Sequence, residues 1–316
     1  MTSNRVYVGG AVVATVLAIS AVFTPGTEAA PGSDNAPPAF TPPPRSALSD
    51  DTLKPGFVDL VKQGEAIFTD TQNHASRFVG NRLNCDNCHL DAGRLADSSP
   101  LWAAWGMYPA YRGKNKHVND FPERIQGCFK YSMNGTTPPR GDKVLLALEA
   151  YSYWLASGAP VGQALPGRGY PELEKPAQTP DYDRGHTVYE QHCALCHNND
   201  GQGQLAADGS QAFPPLWGAD SYNWGAGMHR ISTAAAFIKA NMPLGAANLS
   251  DQQAWDVARY INSHDRPQDP RFTGSVTDTA QAFHGTPNSM YGQRIDGVLL
   301  GENSPPSGNA PVQHAK

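Results

Sequence analysis

Cysteine is scarce in this chain, five residues among 316, and four of the five sit in two short motifs, leaving a single thiol over. A basic excess is also missing. Lys and Arg number 24 against 29 Asp and Glu, a formal net charge of -5, which argues against nucleic acid as a partner, since a phosphate-binding face normally shows as a basic excess. No glycine-rich nucleotide loop in its expected context is present. Strand signal is thin, which turns the expectation toward helices.

The two motifs are Cys85-Asp86-Asn87-Cys88-His89 and Cys193-Ala194-Leu195-Cys196-His197. Both spell C-x-x-C-H, the attachment site of c-type haem, in which two thiols become thioethers and the histidine ligates iron. A zinc site would need further Cys or His partners at matched spacing. Two covalently bound haem c groups are therefore expected, on Cys85 and Cys88 with His89, and on Cys193 and Cys196 with His197.

The chain opens with a short basic start, an apolar run from Val6 to Phe23 and a small-residue stretch, the pattern of an export signal over residues 1–29. That run is about long enough to span a bilayer, so an uncleaved anchor is the alternative. "APGSDNAPPAFTPPPRSA" follows, too proline-rich to pack, and residues 30–52 read as a disordered lead. An internal repeat then marks two domains. Gly64-Glu65-Ala66-Ile67-Phe68 and Gly185-His186-Thr187-Val188-Tyr189 precede the haem motifs, and Pro100-Leu101-Trp102 and Pro215-Leu216-Trp217 follow them. "VLLALEAYSYWLASG" and "SDQQAWDVARYINSH" carry helical spacing, the second with Ser250 and Gln253 as a capping box. The expected fold is all-α, with cytochrome c domains at 53–161 and 181–265, a proline-rich strap at 162–180, and a wrapping, then disordered, tail at 266–316. Pro100 and Pro215 are the expected carbonyl acceptors for the second nitrogens of His89 and His197.

For the second haem, Met242 lies 45 residues beyond His197 and is the expected sixth ligand, with Met228 in "GAGMHR" as its rival. The first haem has two contending sulfurs. Met133 aligns with Met242 in the repeat, through Phe129-Lys130-Tyr131-Ser132-Met133 against Ile238-Lys239-Ala240-Asn241-Met242. Cys128, 39 residues past His89, is the otherwise unexplained thiol. A thiolate would lower the potential of the first haem and remain nucleophilic, and electrons would then run from haem 1 to haem 2. From Arg112 to Lys143 seven Lys or Arg face three Asp or Glu, a local +4 suited to a small anion, with Arg124 four residues before Cys128.

The segments "FVGNRLNCDNCHLDAG", "RIQGCFKYSMNG", "GAGMHR", "AAAFIKANMPLG" and "SMYGQRIDG" resemble the dihaem thiosulfate dehydrogenases over about residues 55–300. The resemblance implies that haem 1 is ligated by His89 and Cys128 and haem 2 by His197 and Met242. It implies periplasmic oxidation of two thiosulfates to tetrathionate, sometimes run in reverse, with a small periplasmic cytochrome c or similar acceptor. Site residues of the family map onto Arg124 and Ser132, and less securely onto Arg112 and Lys130. Competing readings are a plain dihaem electron carrier, a dihaem peroxidase, and the haem subunit of a complex that loads sulfur onto a carrier protein.

Overall fold

The computed structural model describes residues 40–308. The expected export signal and the first part of the proline-rich lead lie outside the described residues. Among the described residues no helix is long and apolar enough to cross a membrane.

Helices dominate, and the short strands form three two-stranded antiparallel hairpins among the described residues. The first long helix, Pro55–Thr69, starts with proline in its first turn, where a missing N–H costs nothing. It packs against Lys143–Leu155, whose N-cap Asp142 accepts from the Val144 N–H at 2.9 Å. In the second half Tyr182–His192 packs on Asp251–Asn262, which also receives Ile231–Asn241. The capping box holds as expected: Gln253 N donates to Ser250 Oγ at 3.2 Å, and Ser250 N to Gln253 Oε1 at 2.8 Å.

The repeated glycines mark the two helix crossings. A Cβ on Gly64 would lie 2.1 Å from the Ala147 carbonyl oxygen, and one on Gly185 would lie 2.1 Å from that of Asp256. Each crossing anchors its own apolar core. Val61, Phe68, Trp102, Tyr151 and Leu155 are central to the first, and Tyr189, Trp224, Ala235, Val257 and Tyr260 to the second.

The proline-rich segments are more closely held than their composition implies. From Phe40 onward the lead is packed: the Phe40 ring lies 5.6 Å from that of Trp102, Leu48 is buried, and Arg94 donates to the Pro43 carbonyl at 2.6 Å. The strap gives its Gly167 and Gly169 carbonyls to the Asp97 and Ser99 N–H groups at 2.8 and 2.7 Å. The tail expected to be disordered is seated as far as Gly308, with Pro305 O accepting from Gln268 N at 2.8 Å and Ser304 Oγ from Trp224 Nε1 at 3.0 Å. Proline removes a donor but leaves its carbonyl, and these segments are held through carbonyls and hydroxyls.

Candidate active site

The first motif is presented by a tight turn, Cys85–Asn87, closed by reciprocal hydrogen bonds between Asn84 and Asn87. Thr71 Oγ1 accepts from Cys85 N at 3.1 Å and fixes the turn to the short helix Thr71–His74 that follows the first. His89 Nδ1 donates to the Ser99 carbonyl at 2.7 Å, which orients the ring and leaves Nε2 free to ligate a metal. The acceptor is thus one residue earlier than expected. Pro100 is the N-cap of Leu101–Trp105, and the acceptor is the carbonyl of Ser99, the residue before it. Burial lowers His89 to about 4, with the Ser99 bond opposing and Arg124 adding to the effect, so the imidazole is neutral and able to ligate.

Beside the motif opens a cavity of about 620 Å³. Cys85, Cys88 and His89 line it together with Cys128, and Phe68, Leu83, Ile125, Phe129 and Leu148 supply apolar wall. Thioether-forming cysteines, a neutral histidine and an apolar slot are what a covalent haem requires, and these residues fit it.

Cys128 follows the helix Phe121–Gly127, which Asp120 caps by accepting from Glu123 N at 2.9 Å. It begins a π-helical turn, Cys128–Ser132, closed by Met133 N donating to the Cys128 carbonyl at 3.0 Å. Such turns are costly and recur at functional sites. Arg124, one turn upstream, donates from Nη1 to the Cys128 sulfur at 2.8 Å. The interaction with Cys128 is the first cause holding Arg124 above the ordinary arginine value. Met133 also lines the cavity, but it is 2% exposed in the first apolar core and its backbone carbonyl is taken by Gly80 N at 2.9 Å. Of the two contending sulfurs, Cys128 is the one with a cation against it.

The second motif repeats the arrangement. His197 Nδ1 donates to the Pro214 carbonyl at 2.8 Å, again one residue before the proline expected, because the residue preceding a proline is held extended with its carbonyl free. Met242 ends the helix Ile231–Asn241 and packs on the second core with Cys193 and Ala194. Met228 packs against both cores, and its carbonyl accepts from Asn262 Nδ2 at 3.1 Å.

Arg112, Arg124 and Ser132 all line the first cavity. The lining of that cavity does not include Lys130, whose ammonium lies 5.5 Å from the Tyr131 ring centroid. Residues missed from the sequence include Tyr108 and the strap residues Arg168 and Tyr170, which also line it. Tyr170 donates to the Cys88 carbonyl at 3.1 Å, clamping the strap over the motif. Nothing in a proline-rich linker announces such a role.

Residues 180–261 match the family model described as cytochrome C oxidase, cbb3-type, subunit III. The chain is 55% identical over 268 residues to a thiosulfate dehydrogenase of Thiomonas intermedia (strain K12), covering 84% of each chain. It is 58% identical over 249 residues to a thiosulfate dehydrogenase of Stutzerimonas stutzeri (strain A1501), covering 78% of this chain and 81% of that one. A solved structure of thiosulfate dehydrogenase (TsdBA) from Marichromatium purpuratum, in its as-isolated form, superposes with a TM-score of 0.80 at 52% identity. The alignment covers 84% of this chain and 58% of that longer one.

Proposed function

Because this chain belongs to the thiosulfate dehydrogenase family, we propose that it is a dihaem enzyme that couples two thiosulfates into tetrathionate at Cys128. The observation that carries the reading is the Arg124 guanidinium 2.8 Å from the Cys128 sulfur, inside a cavity that also holds a C-x-x-C-H histidine.

The first haem would be held by Cys85, Cys88, His89 and Cys128, the second by Cys193, Cys196, His197 and Met242, with Met228 as the alternative to Met242. When bound at these residues, haem c would supply the oxidant, and a small cytochrome c or similar acceptor would take the electrons. The residues of the chain do the rest. Arg124 and Arg112 neutralise the sulfonate of the first thiosulfate, and Ser132 offers a hydroxyl beside them. Lys130 adds positive charge to the neighbourhood. Cys128, as thiolate, bonds the outer sulfur of thiosulfate with loss of two electrons, giving Cys–S–S–SO3⁻. A second thiosulfate attacks the carried sulfur, tetrathionate leaves, and the Cys128 thiolate is restored.

The Val6 to Phe23 run supports export to the periplasm, and a net charge of -5 argues against nucleic acid as a partner. The apolar wall and the absence of a basic excess do not separate an enzyme from an electron carrier; the cation on Cys128 favours the enzyme. Thiosulfate added to the oxidised haem-loaded protein is expected to reduce haem and, with an artificial acceptor, to yield tetrathionate. Arg124→Ala is expected to raise KM and lower kcat, by roughly 10-fold or more for a lost charge-assisted contact. Neither haem reduction nor tetrathionate from acid to neutral pH would sink the proposal.

A further inference from the structure

Resting on the thiosulfate reading above, we propose that a second cavity beside the Cys128 site is a separate oxyanion subsite, which holds the attacking thiosulfate while the first is bonded to Cys128. This cavity, about 540 Å³, shares Tyr111, Arg112, Arg124 and Ser132 with the first, so the two adjoin at those residues. Its far wall comes from the second half of the chain: Gly225, Arg230 and Arg271.

The cavity is built around a cation lodged on an aromatic ring. The Lys114 ammonium lies 3.2 Å from the Tyr131 ring centroid and donates to the Gly225 carbonyl. Gly225 is required there, since a Cβ would meet Tyr131 Cδ1 at 2.5 Å. The guanidinium of Arg271 sits 5.6 Å from the same ring. Acids nearby are already engaged. Asp269 takes Arg271 at 2.6 Å and Glu123 takes His117 at 2.6 Å. Among the described residues the salt bridges leave Arg112, Lys114, Arg124 and Arg230 with no carboxylate partner. Arg124 is engaged by the Cys128 sulfur, and Arg112, Lys114 and Arg230 remain without a carboxylate around two adjoining cavities, which suits two sulfonates better than one.

The chemistry asks for such an arrangement. Cys–S–S–SO3⁻ and free thiosulfate are both anions, and they must approach until sulfur meets sulfur. In that step the outer sulfur of the free thiosulfate bonds to the sulfur attached to Cys128, and the bond from that sulfur to Cys128 breaks. The bonding pair returns to Cys128 as thiolate. No electron leaves and no proton moves, so the only demand is charge and position, which Lys114 and Arg230 supply.

The test divides the reaction in the haem-loaded protein. Haem reduction on rapid mixing with thiosulfate reports the first half, and tetrathionate release under an external acceptor reports the whole. Lys114→Gln combined with Arg230→Ala is expected to leave the rate of haem reduction unchanged and to raise the KM for tetrathionate release by ~10-fold or more, with Arg230→Lys restoring it. Arg230→Glu, a single change at an exposed position, is expected to do the same and guards against misfolding of the double variant. Equal loss in both halves, or release at the unsubstituted KM, would overturn the subsite. Absence of haem reduction in the unsubstituted protein would overturn the thiosulfate reading and the subsite with it.

Discussion

Lys114 is an exposed residue whose ammonium is held between the Tyr131 ring and the Gly225 carbonyl. Burial of the ammonium, followed by the neighbouring Arg271, lowers Lys114 to about 7; Asp269 opposes this, while Arg124 and Arg230 add to it. A lysine lowered in this way is charged below about pH 7 and neutral above it. Thiosulfate KM is therefore expected to rise as pH climbs through neutrality, and Lys114→Gln to show a raised KM with that rise removed. An unchanged pH profile in the variant would assign the rise to another group. At this scale the sequence was partly legible. Cys128 stood out as the leftover thiol, and Arg124 as the arginine one turn before it. Lys114 was visible only as one charge in a basic run, because Gly225 and Arg271, which give it a role, lie more than a hundred residues away.

The helix crossings explain why the repeat begins with glycine. Gly64 and Gly185 bring two backbones together where a methyl group would meet a carbonyl oxygen at 2.1 Å. Gly64→Ala and Gly185→Ala are expected to destabilise the haem-loaded protein by about 1–3 kcal/mol each, seen as a lower Tm in thermal unfolding. Gly56→Ala, in the same helix as Gly64 but at a position where an added methyl would meet nothing within 4 Å, is expected to lose nothing. Equal Tm loss at Gly56 and Gly64 would refute the crossing argument. Helix positions and the Ser250–Gln253 box were legible because apolar spacing and capping are local signals. The histidine acceptors were placed one residue late, at the prolines, because sequence identifies the proline more readily than the carbonyl its rigidity frees.

Across the molecule, two helix pairs with separate apolar cores each present a haem motif, and the strap between them contributes Arg168 and Tyr170 to the first site. Composition could identify the lead, strap and tail as proline-rich but not what they pack on, since their contacts run from single anchors such as Phe40 and Tyr170 to distant segments. The same separation hides the second cavity, whose two walls meet only in the folded chain. What joins these levels is the claim that substrate sulfur is carried on Cys128 between two anion-holding cavities. Its most direct test is the mass of the peptide containing Cys128, taken after the oxidised haem-loaded protein has met limiting thiosulfate and been quenched in acid. The account predicts a Cys128 peptide heavier by one S–SO3 unit, which disappears on adding excess thiosulfate as tetrathionate forms. Tetrathionate formation with Cys128 unmodified throughout would contradict it.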